Sequence, residues 1–173
     1  EEYLMNNLKL ILVVLIIFYS HTSYADKSMK IGHKGNSNQV DRTISVIMHD
    51  HYFEPSYIEI NNNETIRFEV TNLGSSVHEF NIANKALHLA HQAEMEMLVE
   101  NEIINYDTID HDKMDKMAKK DHSMGHSHSN SVLLAPNESK SLIWDFKNSE
   151  NIEIACNVPG HYDIGMISTV NLK

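Results

Sequence analysis

Cysteine is nearly absent from this chain: Cys156 is the only one in 173 residues. A single thiol cannot close a disulfide within its own chain, so no covalent staple supports the fold. Long hydrophobic runs are absent too. The longest unbroken apolar stretch, Leu10 to Phe18, spans nine residues, against the roughly 20 that a membrane-crossing helix needs. Positive charge is scarce, with 14 Lys and Arg against 24 Asp and Glu and a formal net charge of −10. That balance excludes nucleic acid and anionic membrane as partners and suits a basic patch on another protein.

The nine-residue run reads instead as an export signal. Lys9 precedes it, polar residues follow, and Ser23 and Ala25 occupy the small-residue positions of a cleavage site. Residues 1–25 are therefore expected to be a cleaved signal peptide, with translation starting at Met5, cleavage before Asp26 and no membrane anchor afterwards. The 148 residues that remain carry a net charge of −9 and suffice for one domain with one core, expected to be a monomer. In an oxidising compartment an unpaired cysteine is either reactive or occupied, which makes Cys156 the residue to explain.

Residues 26–42 are polar, rich in Gly, Ser and Asn and aperiodic, and read as a mobile leader. From residue 43 the pattern changes to short runs rich in Ile, Val, Phe and Thr. In "ETIRFEVTN" the residues Ile66, Phe68 and Val70 fall on one face and Thr65, Arg67 and Glu69 on the other, the signature of a half-buried strand. Strand patterns stop at Ala83 and return at Ser131 with "SVLLAP", "SKSLIWDF", "NIEIAC" and "GMISTVNL". The expectation is an all-β domain over 43–173, an antiparallel Greek-key sandwich of about eight strands with an insertion over 84–131. Trp144 and Phe146 share a strand face and are expected in its core.

The stretch "ACNVPGHYDIGM" places a thiol, an imidazole and a thioether at equal intervals: Cys156, His161 and Met166. A cysteine, two histidines and a weak methionine are the donors of a blue-copper electron-transfer site. Pro159-Gly160 supplies the turn that would bend the three around one ion, and His78, at the start of "HEFNI", fits as the second histidine. A thiol enzyme would use Cys156 as nucleophile with His161 or Asp163 as partners, but no oxyanion or helix-start context accompanies the cysteine. No catalytic constellation is found, so the chain is not expected to be an enzyme.

The motifs "SVHEF" and "CNVPGHYDIGM" resemble those of the cupredoxins, the small blue copper proteins, with ligand spacing like that of auracyanin. The resemblance implies a type 1 copper site with His78, Cys156 and His161 as equatorial ligands and Met166 as the axial one. It also implies Cu(I)/Cu(II) cycling, with His161 as the exit edge for the electron. Many relatives place an asparagine after the first histidine to brace the copper loop, where this chain has Glu79. Asn157 is expected to tune the thiolate by hydrogen bonding.

The insertion holds six of the twelve histidines and five of the nine methionines. Its first part, "KALHLAHQAEMEMLVE", has helical periodicity with His88, His91 and Met95 on one face and Leu87 and Leu98 beside them. His88, His91, Met95, Met97, His111, Met114, Met117, His122, Met124, His126 and His128 are candidate auxiliary copper ligands, thioethers suiting Cu(I) and imidazoles Cu(II). As a surface insertion it is expected to be removable without loss of the sandwich. This Met- and His-rich insertion resembles that of exported cupredoxins of bacterial copper-tolerance systems. The role so implied is periplasmic copper handling coupled to electron transfer, with a redox partner or a copper-handling protein as the partner. A dedicated mobile electron carrier is the alternative.

Overall fold

The computed structural model describes residues 30–120 and 128–173. The signal segment 1–25 and three candidate ligands, His122, Met124 and His126, lie outside them. Among the described residues ten strands form two five-stranded sheets. The first sheet has the order β1 (His33–Lys34), β8 (Ser139–Asp145), β5 (Thr65–Asn72), β2 (Arg42–Met48), β3 (Phe53–Glu54). The second has the order β4 (Tyr57–Ile60), β10 (Ile167–Leu172), β9 (Ile152–Ala155), β6 (His78–Asn84), β7 (Ser131–Leu134).

The alternating faces of β2, β5 and β8 put Val46, Met48, Phe68, Val70, Leu142 and Trp144 between the sheets. There they meet Phe80, Ile82, Ile154 and Phe146. Phe68 lies 5.1 Å from Phe80, ring centre to ring centre. Burial of each such ring contributes roughly 1.5–3 kcal/mol. Trp144 and Phe146 are both in this core, as their shared strand face predicts.

The sandwich is not wholly antiparallel. β2 pairs with β5 in parallel, Arg42 opposite Ile66 through Met48 opposite Asn72, and β4 pairs with β10 in parallel. After β3 the chain crosses to the edge of the second sheet for β4 and returns beside β2 for β5. Turn signals mark where a strand stops but not which sheet receives the next one. The expected leader over 26–42 is also corrected from residue 30 onward. β1 pairs with β8, the Gly35 N–H donates to the Ile143 carbonyl, and the Trp144 indole N–H donates to the Ile31 carbonyl at 2.6 Å.

The insertion forms two helices, α1 (Lys85–Glu100), as its periodicity predicts, and α2 (His111–Lys120). Asn84 caps α1 by accepting the Leu87 N–H at 3.0 Å, and the Asn101 side chain donates to the Met97 carbonyl at its other end. Helix α1 lies against β6 and β9. It closes a second apolar cluster in which Met95 and Leu98 meet Val77, Ile103, Ile104 and Leu133. The insertion is thus not a detachable surface loop: it carries a core of its own, shared with the sandwich. It also explains why β6 is buried on both faces from His78 to Ala83. Among the described residues no helix is long and apolar enough to cross a membrane.

Candidate metal centre

His78 opens β6, and Cys156 directly follows β9, its antiparallel neighbour. The loop after Cys156 folds back by backbone hydrogen bonds. The His161 N–H donates to the Val158 carbonyl, and Met166 is tied to both other loop residues: its N–H donates to the His161 carbonyl at 3.0 Å and its carbonyl accepts the Cys156 N–H at 3.1 Å. Gly160 and Gly165 turn this loop at φ of 85° and 86°, and neither has a neighbour within 4 Å of a built Cβ. The glycines answer a backbone demand there, not a shortage of space.

Three donor atoms converge at the mouth of the loop. Cys156 Sγ lies 3.4 Å from His161 Nδ1 and 3.8 Å from His78 Nδ1, and the two Nδ1 atoms are 3.2 Å apart. Cys156 and His78 are fully buried and His161 is half-buried. Burial pushes the thiol up to about 12. The backbone N–H groups of Glu79, at 3.3 Å, and Val158 donate to Sγ and oppose that rise. Burial also pulls the His78 imidazole down to about 4, helped by the neighbouring His161 and opposed by Asp50. His161 is lowered as well, first by burial and then by His51. Two neutral imidazoles beside a thiol offer an ion their lone pairs, with one proton to displace.

Asp50 is a partner that sequence reasoning missed. Its Oδ1 lies 3.3 Å from His78 Nε2, which leaves Nδ1 facing Cys156. Burial raises the Asp50 carboxyl, but the Ser75 hydroxyl and N–H, His78 and the Ser76 N–H together lower it to about 2. The chain marks it only by the stretch "MHDHY", in which the aspartate stands between two histidines. His49 stacks on Tyr52 with ring centres 4.4 Å apart, and His51 is exposed.

Glu79, where many relatives have asparagine, links its strand to the loop of Cys156. Its carboxylate, fully buried, accepts from the Asn157 amide at 2.7 Å and the Asn81 amide at 3.1 Å, and lies 3.1 Å from His91 Nε2. Asn157 differs from expectation. Its side chain does not reach the thiol; it donates to Glu79, accepts from Gln92 at 3.1 Å and lies 3.2 Å from His88 Nδ1.

The candidate auxiliary ligands separate. His88 is fully buried between Asn157 and the Glu153 carbonyl, and Met95 is sealed in the second apolar cluster. Both positions are structural, contrary to the expectation of auxiliary ligation. Met97, Met114 and Met117 pack against the same cluster. His111 and Met114 line a shallow cleft with His128. His91 and His128 do come together, with Glu94 between them.

A buried thiol and two imidazoles fit copper, because thiolate and imidazole together are the donors of its electron-transfer sites. Fold and donors define a small copper-binding β-sandwich. The chain belongs to the cupredoxin-like family, whose domain matches residues 9–119. Among curated proteins it is 35% identical over 170 residues to the copper-resistant cuproprotein CopI of Pseudomonas aeruginosa, covering 94% of each chain. It is 28% identical over 149 residues to the protein of the same name from Rubrivivax gelatinosus, covering 86% of this chain and 76% of that one. Among solved structures, reduced auracyanin from Roseiflexus castenholzii aligns with a TM-score of 0.54 at 13% identity, over 78% of this chain and 98% of that one. Auracyanin B aligns at 0.53 and 15% identity, over 82% and 96%; at such identities the likeness is one of fold. Copper is the ion that family, relatives and donor cluster have in common.

Proposed function

We propose that this chain is an exported, periplasmic type 1 copper protein. His78, Cys156 and His161 would hold the ion, with Met166 as the weak axial ligand, and copper tolerance coupled to electron transfer is its role. The observation that carries this reading is the convergence of Sγ and two Nδ1 atoms within 3.2–3.8 Å of one another at a buried strand end. When bound, copper supplies a one-electron couple.

The chain's own residues hold the donors in place. Asp50 fixes the His78 ring, the Glu79 N–H fixes Sγ, and the backbone links of Met166 fix the loop. Donors held in this way need little rearrangement between two oxidation states. His161 is the half-buried ligand, and it borders a cleft lined by Val77, Ile104, Tyr106, Val158 and Pro159, which would give an electron an exit toward a docked partner. The fully buried Cys156, with a thiol pushed up to about 12, is unsuited to nucleophilic catalysis, which supports a carrier over an enzyme. Tolerance is favoured over a purely respiratory carrier by the CopI relatives.

The test is the colour of the copper-loaded protein. An intense visible band from thiolate-to-Cu(II) charge transfer is expected, lost in Cys156→Ser and in His78→Ala. Met166→Leu should keep the band and raise the reduction potential, because one donor fewer stabilises the more highly charged ion less. A colourless wild type, or a Cys156→Ser variant that keeps the band, overturns the assignment.

A further inference from the structure

His91, Glu94 and His128 present their donor atoms within 4.8 Å of one another, away from the Cys156 site. His91 Nδ1 lies 3.1 Å from Glu94 Oε2, and His128 Nε2 lies 2.9 Å from both Glu94 oxygens. The two imidazoles stand nearly perpendicular, at 89°, with ring centres 5.1 Å apart. His91 and Glu94 share a face of α1 because they are three positions apart. His128 reaches the same point from the segment leading into β7, so the grouping is tertiary and not a by-product of helical spacing.

The outer contacts are those of a metal ligand. The second nitrogen of His91, Nε2, lies 3.1 Å from Glu79 Oε1. That carboxylate is fully buried and held by Asn81 and Asn157. A carboxylate behind a histidine fixes its tautomer, turns the other nitrogen outward and raises its basicity, as in carboxylate–histidine–zinc arrangements. Here the nitrogen left facing Glu94 and His128 is Nδ1.

We propose that His91, Glu94 and His128 form a second metal site, for a divalent ion of the Cu(II)/Zn(II) class. Two imidazoles and one carboxylate suit such ions, whereas Cu(I) prefers thiolate and thioether. On binding, the proton shared by His91 Nδ1 and Glu94 passes to solvent, His128 ligates through Nε2 with its proton moved to Nδ1, and His91 Nε2 keeps its proton toward Glu79. The three protein ligands leave a coordination position for water, as in open zinc sites. The same Glu79 whose backbone N–H reaches Cys156 Sγ stands behind His91, so one residue connects the two sites.

The experiment starts from the full chain with its blue site already filled by Cu(II), so that only additional metal is counted. Calorimetric titration with Zn2+ is compared among the wild type, Glu94→Gln and His128→Asn. His128 is exposed, so that variant keeps the fold even if Glu94→Gln does not, and an unchanged blue band confirms the fold in each case. The wild type is expected to bind one equivalent more than either variant, or the same equivalent at least tenfold more tightly. Repeating the titration with Cu(II) should add an electron paramagnetic resonance signal of ordinary nitrogen- and oxygen-ligated copper, reduced in both variants. Equal Zn2+ uptake by all three proteins overturns the site, as does no uptake by the wild type. Because metal is counted above the blue copper, failure here leaves the type 1 assignment standing.

Discussion

The buried carboxylate of Glu79 and the side-chain amide of Asn157 are joined by a 2.7 Å hydrogen bond that ties the strand of His78 to the loop of Cys156. Removing the carboxylate with Glu79→Ala should cost roughly 3–5 kcal/mol, the penalty for leaving buried partners unmet, read as a lowered thermal midpoint of the metal-free protein. Glu79→Gln keeps an oxygen for Asn157 and should cost less. In that milder variant the copper potential should rise, since a negative charge that favoured Cu(II) is gone. An unchanged potential would mean that the carboxylate does not act on the site electrostatically.

Asp50 orients His78 from outside the donor set. Asp50→Ala should lower copper affinity by roughly 10–100-fold, as loss of a carboxylate behind a ligating histidine does, while the blue band stays at saturating copper. Competition against a chelator of known affinity measures this. An affinity equal to that of the wild type would show Ser76 Oγ, 3.3 Å from His78 Nε2, to be a sufficient partner.

Leu98 on α1 is fully buried in the second apolar cluster. Leu98→Ala should destabilise the protein by roughly 2–5 kcal/mol, as deletion of a buried leucine does, in urea unfolding followed by Trp144 fluorescence. A change below about 0.5 kcal/mol, typical of surface sites, would return the helix to the status of an appended loop.

The acid limb of stability should contain a contribution from Glu64. Burial raises its carboxyl, but Arg42 and the Asn61 N–H outweigh this, and the net shift is below the ordinary value of 4.5. A lowered carboxyl contributes stability that is present above its unfolded value and lost as pH falls through its folded one. The metal-free wild type should therefore lose stability below pH 4.5 more steeply than Glu64→Gln. Parallel urea midpoints between neutral and acid pH check it; identical slopes would remove Glu64 from the account.

What the sequence revealed and what it concealed differ in kind. Strict alternation of Ile66, Phe68 and Val70 marked β5, and the 3.6-residue recurrence of His88, His91 and Met95 marked α1, because each pattern is a local consequence of one buried face. The spacing of Cys156, His161 and Met166 was legible because all three lie on one loop. By contrast, β1 has only two residues and no periodicity to display. Helix α2 buries no residue fully; Met114 and Met117, three positions apart, pack against the second cluster, a stripe too short to announce the helix. Asp50 and Glu79 matter through contacts across the fold, with residues 28 and 78 positions away in the chain. His88 and His91 looked alike on the helix, yet only contact with β9 turns the first into a core residue while the second faces Glu79.

The parallel pairing of β4 with β10 joins Tyr57 to Thr169, 112 positions apart. Contacts of such separation form late, since a long loop must close before they yield any stabilisation. β10 begins immediately after Met166, so clamping it against β4 and β9 also sets the loop that carries Cys156 and His161. The donor set is then complete only in a chain whose β10 has paired with the distant β4. On the proposed ligation, uptake of a single coloured ion reports finished folding, because a half-assembled chain has not yet brought Cys156 together with the two imidazoles.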